Sequence, residues 1–164
     1  MASWQQLTEI APDLATALQG RFGAHIHALL GSLRRDGSPR ISGIETTFAL
    51  GELWLGMMPG SFKAADLRRD PRLALHAAVA DEQLTGGDAK ISGRAREVID
   101  TAEVEAFIAH LQAEHGDKHA DLEAGGLHLF RVDVTEVGFL TVEGDHMVIE
   151  SWREGSQVRR IERS

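Results

Sequence analysis

The sequence holds 164 residues, 43% of them hydrophobic and 26% charged, with a net charge of −8. That length suits one domain with its own core, and the composition excludes a disordered or fibrous chain. Cysteine and tyrosine are absent, which removes disulfide frameworks, thiolate metal sites, a cysteine nucleophile and a tyrosine acid or base.

The acidic balance argues against nucleic acid and anionic membranes as partners. The opening MASWQQLTEI lacks the charged-then-apolar order of a signal peptide, so a soluble cytoplasmic protein is expected. The charge is unevenly spread: residues 1–80 carry eight Lys/Arg against seven Asp/Glu, and residues 81–164 carry nine against eighteen. Basic residues gather at Arg34, Arg35 and Arg40 and from Lys63 to Arg72, where an acidic protein could still hold a small anion.

In chain order, residues 3–23 predict helix, with Leu7, Ile10, Leu14 and Leu18 at helical spacing and Pro12 at a tolerated break. Residues 24–33 predict a strand that ends in a hairpin turn through Arg34-Arg35-Asp36-Gly37-Ser38-Pro39. A second strand is expected over 39–50, a tight turn at Gly51-Glu52, and a third strand over 53–58. Ser61 is a good N-cap for a helix running to Arg69, which Asp70-Pro71 ends. A buried strand over 73–80, a loop over 81–87 and an alternating strand over 89–99 follow. Thr101 is expected to cap a helix that presents Val104, Phe107, Ile108 and Leu111 on one face. After a loop over 115–126, residues 127–144 and 146–152 predict a long strand and its hairpin partner around Gly144-Asp145. Short inter-strand turns demand antiparallel pairing. About seven strands then suggest a small β-barrel over 24–153, with a helical segment before it and a tail over 154–164.

Eight histidines invite a metal reading. His115 and His119 lie four apart, but Gly116-Asp117 interrupts their helix and no carboxylate stands at a zincin position. His25 and His27 share a strand face without a third ligand, so no metal site is expected. Neither G-x-S-x-G, nor GxGxxG, nor a Walker loop occurs. In GMMPGSFKAADLRRDPR, a strand ends in a Pro-Gly turn, and Ser61 and Lys63 open a helix. The amides and dipole of such a terminus favour an anion, and Lys63 adds a full charge. An ordinary capped helix with a solvated lysine would read the same way.

The stretch DGSPRISGIETTFALGELWLGMMPGSFKAADLRRDPRLALH resembles the pyridoxamine 5′-phosphate oxidase-like, FMN-binding split β-barrel family. It is most similar to the flavin/deazaflavin oxidoreductase branch. The pattern is an Asp-Gly-x-Pro hairpin, a strand, a second hairpin, then Ser-Arg-Lys-x-x-x-Leu-x-x-Asn/Asp-Pro. The match continues through AKISGRAREV and LHLFRVDVTEV, covering nearly residues 24–150.

The resemblance implies an α+β, mainly β fold: an antiparallel split β-barrel with flanking helices. It also implies a homodimer with cofactors in clefts between subunits, either FMN or the 8-hydroxy-5-deazaflavin coenzyme (F-420), with haem behind these two. The cofactor phosphate is expected near Ser61, Phe62 and Lys63. Its ring is expected against Ser42, Gly43, Ile44 and Thr46 and the strand end at Met57 and Met58, with Asp88 and Lys90 approaching it. The ending ESWREGSQVRRIER is similar to the family's Glu-x-Trp…Arg terminus, which assigns Trp152, Arg159 and Arg163 to cofactor or substrate.

Three arginines of the family pattern are here Ser42, Phe62 and Ala65. Each lost guanidinium removes charge-assisted hydrogen bonds to phosphate; Arg40, Arg68 or Arg69 could replace the charge, and Phe62 could stack on a flat ring. The implied activity is hydride transfer between the cofactor and a small planar or unsaturated substrate. No acid or base is assigned, although Glu45 and His76 are candidates. A non-catalytic flavin- or haem-binding or sensing protein, and a dimeric scaffold without cofactor, are the alternatives.

Overall fold

The protein is seen in a computed structural model that describes residues 1–79 and 83–164. The helices are α1 (Trp4–Ile10), α2 (Pro12–Gly23), α3 (Phe62–Arg69) and α4 (Thr101–His115). The strands are β1 (Ala28–Leu33), β2 (Pro39–Ile44), β3 (Thr46–Ala49), β4 (Glu52–Met57), β5 (Arg72–His76), β6 (Asp88–Val98), β7 (His128–Glu143), β8 (His146–Arg153) and β9 (Arg159–Arg163). The end of the expected 73–80 strand and the start of the 81–87 loop, residues 80–82, lie outside the described residues.

All pairings are antiparallel, in the order β2-β1-β5-β6-β7-β4-β3. The β6–β7 ladder runs from Asp88 opposite Leu140 to Val98 opposite Leu129. Along its other edge β7 carries β4 on its first half and β8 on its second. The two ends of the barrel order, β2 and β3, are joined through Glu45 alone but share no ladder. This open seam makes the architecture a mainly β, antiparallel split barrel with flanking helices.

The seam corrects the expected continuous strand over 39–50. Apolar and β-branched residues run on across Glu45, yet Ile44 pairs with Ala28 while Thr46 pairs with Leu55. The next turn sits at Leu50-Gly51, one residue earlier than expected, with both residues at positive φ (53° and 77°). Two left-handed residues match the right-handed twist of the flanking strands. His25 and His27 lie before β1 begins, not on it. The expected tail over 154–164 contains β9, which pairs Ile161 with Ile149.

Within the barrel, Leu30, Leu55, Leu75 and Ile91 are fully buried and merge with Leu14, Leu18 and Phe22 of α2. Trp4 and Phe22 both meet the Phe48 ring, at 4.4 and 6.0 Å between centroids. From α3, Ala64 and Leu67 enter the same core. On the outside, α4 buries the four apolar residues its spacing predicts against Trp54, Val98 and Leu129, with Trp54 and Phe107 centroids 5.1 Å apart. Among the described residues no helix is long and apolar enough to cross a membrane.

The cap of α4 is Asp100, not Thr101: its carboxylate accepts from the Glu103 amide at 3.0 Å. An N-cap carboxylate also meets the positive end of the helix dipole. Asp100→Ala is therefore expected to cost about 1 kcal/mol and Thr101→Ala less than half of that, as read from urea unfolding midpoints.

Candidate functional site at the start of helix α3

The chain leaves β4 at Met57, which is buried, passes the exposed Met58 and turns at Gly60 (φ 75°) into α3. Ser61 caps the helix as expected, its Oγ accepting from the Ala64 amide at 3.3 Å. Two residues on, Lys63 lies half-buried, and its Nζ donates to the Gly43 carbonyl of β2 at 2.6 Å. Burial lowers its pKa below the ordinary value of 10.5, opposed by the charge of Glu45. Among the described residues no carboxylate comes within ion-pair distance of Lys63. The amine is thus partly desolvated and, among the described residues, without an ion-pair partner.

The arginines expected to replace the family's missing ones are already engaged. Arg40 Nε and Arg69 Nη2 hold the two oxygens of Asp66, at 2.6 and 2.8 Å, and Ser32 Oγ donates to the same carboxylate at 3.3 Å. Arg68 instead binds Glu97 and touches His128 Nδ1 at 2.8 Å. Asp66 is buried and was not among the residues the sequence singled out. A weak signal exists, since it is the one acid in FKAADLRR and stands between the core residues Ala64 and Leu67.

Phe62 projects outward with 75% of its surface exposed, and the Arg40 guanidinium lies 5.4 Å from its ring centroid. Beside it an open groove of about 560 Å³ runs between α3 and the β1–β2 hairpin.

The remaining expected site residues fall into three groups. Gly43 lies at the Lys63 contact; Ser42 and Thr46 are half-buried, and Ile44 packs in the core behind them. Asp88 and Lys90 lie on another part of the sheet. The ladder register sets Gly43, Leu29, His76 and Lys90 in one row across β2, β1, β5 and β6. Three strand spacings put Lys90 roughly 14 Å from Gly43. Two residues before Lys90 on β6, Asp88 is flanked by Lys90 Nζ at 2.6 Å and by His76 Nε2 at 2.7 Å, although its Oδ1 has no aligned donor. Trp152 is only 3% exposed and packs in the main core opposite Val137, so in this chain its ring faces other side chains. Arg159 and Arg163 lie exposed on β9. Of the two acid–base candidates, Glu45 is exposed with His27 Nε2 3.8 Å away, and His76 holds Asp88. His115 and His119 stack edge-on at 5.7 Å, and no group of three His, Asp or Glu placed to hold a metal occurs among the described residues.

The fold recurs in solved structures. Campylobacter jejuni ChuZ superposes with a TM-score of 0.68 at 12% identity, over 92% of this chain and 63% of that one. A haem-binding protein from Mycobacterium smegmatis gives 0.61 at 20% identity, over 84% and 57%. An F-420 reductase gives 0.56 at 18% identity, over 74% and 93%. No curated protein sequence matches the chain. The family model described as pyridoxamine 5′-phosphate oxidase matches residues 14–163, a span that includes the barrel, the seam and the Lys63 corner. The chain belongs to the pyridoxamine 5′-phosphate oxidase family.

Proposed function

We propose that the protein is an oxidoreductase that holds FMN or F-420 and transfers a hydride between that cofactor and a small planar or unsaturated substrate. When bound, the cofactor's ring supplies the hydride chemistry. Lys63 carries the reading: it is a half-buried cation on the first turn of a helix, bound to a carbonyl and, among the described residues, to no carboxylate. An arriving phosphate provides the missing counter-charge, and charge-assisted hydrogen bonds are the stronger kind. The α3 amides and the free hydroxyl proton of Ser61 point the same way.

The residues present fit one phosphate better than they fit an arginine cradle. Ser42 and Thr46 flank the position for the ring, and Met58 offers a soft apolar edge. The outer sheet face beside Gly43 exposes Leu29 and Ile41 (48% and 75%) next to the small residues Gly31 and Ala74. A flat apolar face of this kind suits a second copy of the chain, so the working unit is read as a homodimer with the ligand near the shared face.

The test is a titration with FMN and F-420. Lys63→Ala is expected to raise Kd about 10- to 100-fold, the value of one hydrogen bond to a charged group. Because the lysine binds only when protonated and its pKa is lowered, wild-type affinity should weaken as pH rises toward that value, while the variant's stays level. Equal affinity of the two proteins would place the phosphate elsewhere. Haem binding is the second reading, favoured by the exposed Phe62 ring under Arg40; a haem absorption band on titration, with no flavin binding, would select it.

A further inference from the structure

His128 opens β7 opposite Met57, the last residue of β4, and stands beside the turn that runs from Met58 through Gly60 into α3. Its ring is half-buried between two neighbours. On one side Arg68 Nη2 of α3 lies 2.8 Å from Nδ1, and on the other the Gly60 amide nitrogen lies 3.4 Å from Nε2.

Both neighbours are donors. A guanidinium carries five N–H groups and no acceptor, and a backbone N–H can only give. A neutral imidazole offers such neighbours one lone pair, and a protonated imidazole offers none. The 2.8 Å contact therefore needs a bare Nδ1 and a neutral ring. An added proton sets an N–H against the Arg68 cation on one side and against the Gly60 amide on the other.

The other charges around the ring stay fixed. Arg68 grips Glu97 of β6 through both Nε and Nη2, the Nε bond being 2.8 Å. That hydrogen bonding pushes the Arg68 pKa up and holds the Glu97 carboxyl below its ordinary 4.5. Glu97 Oε1 is 3.9 Å from Nδ1, and among the described residues no other carboxylate comes within 4 Å of the ring. From β4 the facing residue is the apolar Met57. Histidine is the side chain that ordinarily changes charge between pH 5 and 8, so in that window the cluster gains its proton at His128.

We propose that His128 is a proton-operated latch on the turn before α3: the neutral ring, seated on Arg68, holds the Gly60 turn against the start of β7, and the protonated ring releases both. The turn positions Ser61 and Lys63, so this regulation rests on the placement of the cofactor phosphate there. Acid opens the turn and weakens the hold on the phosphate. This is the opposite flank from the loss expected when Lys63 gives up its proton at high pH.

Amide hydrogen exchange in the ligand-free protein reads the latch. Relative to the intrinsic rate at each pH, the Gly60 and Ser61 amides of wild type should be at least about threefold less protected at pH 5 than at pH 7.5, the worth of one hydrogen bond. His128→Gln, whose side-chain oxygen still accepts from Arg68 but takes no proton, should be equally protected at both. His128→Ala should be open at both. Titration with FMN and F-420 reads the coupling. From pH 7.5 to pH 5 the wild-type Kd should rise about three- to tenfold more than that of His128→Gln; the ligand's own protonation acts on both proteins alike. The proposal is overturned if wild type and His128→Gln lose protection in parallel or if their Kd values move in parallel. It is equally overturned if wild type gains affinity over the variant in acid, which would make the imidazolium a further cation for the phosphate. If the turn opens in acid while neither cofactor binds at either pH, the latch stands and the cofactor reading fails.

Discussion

Asp66→Ala is expected to lower the unfolding free energy by about 2–4 kcal/mol. The carboxylate is buried and accepts from Arg40, Arg69 and Ser32 at 2.6, 2.8 and 3.3 Å. Removing it leaves two neighbouring cations that repel each other and a hydroxyl that loses its acceptor. The arginines are themselves partly solvated, with 25% and 36% of their side chains exposed, which keeps the figure below that for a fully buried pair. Urea unfolding reads the effect as a fall in midpoint at constant slope; an unchanged midpoint would show that the cluster adds nothing to stability.

The same residue makes a prediction in pH. Burial pushes the Asp66 carboxyl up, but hydrogen bonds and charge from Arg69 and Arg40 outweigh it and hold its pKa below the ordinary 3.8. A carboxyl that is more acidic folded than unfolded stabilises fully above its unfolded value, and that stabilisation disappears as pH falls through its folded value. Wild type should therefore lose stability below pH 3.8 more steeply than Asp66→Asn, which keeps the shape without the charge. Parallel acid limbs in the two proteins would contradict the assignment.

Gly93→Ala is expected to be as damaging, at about 3 kcal/mol, for a reason of space. The register of β6 on β7 shifts between Ser92 and Gly93, bringing the strands so close that a Cβ at 93 would lie 2.6 Å from the Asp133 carbonyl oxygen and 2.8 Å from Val132 Cγ1. The first obstacle is backbone and cannot rotate away. In a chain of this length the loss should lower Tm by roughly 6–12 °C. Gly138→Ala on the facing strand meets nothing within 4 Å and serves as the control, expected to leave Tm within a degree or two. Equal Tm values for the two variants would mean that the ladder yields at the bulge.

How much of this was legible depended on whether a pattern is local. Helix α4 was, because Val104, Phe107, Ile108 and Leu111 repeat at the helical period and all four are buried. The Lys63 corner was also legible, since a cap, a lysine and a preceding Pro-Gly turn lie within five residues. The break at Glu45 was not, because the residues on both sides suit strands and only the choice of neighbour separates them. Strand β9 was hidden by its composition: Arg159, Arg160, Glu162 and Arg163 surround a single apolar residue, Ile161, as suits a charged edge strand. The Asp66 cluster could not be read from spacing, since its partners arrive from residues 32 and 40 on another hairpin. Trp152 follows the motif in sequence, but its alternation in β8 points it into the core.

The way the barrel is closed has a mechanical consequence. Separating any neighbouring strands within the barrel order breaks a ladder of three or more residue pairs. Moving β2 away from β3 breaks none, because a peptide link through Glu45 is all that joins them. The circumference can therefore change at one point without loss of sheet hydrogen bonding. Lys63 holds the Gly43 carbonyl near the end of β2 from α3, so the cation assigned to the ligand touches the strand on one side of that opening.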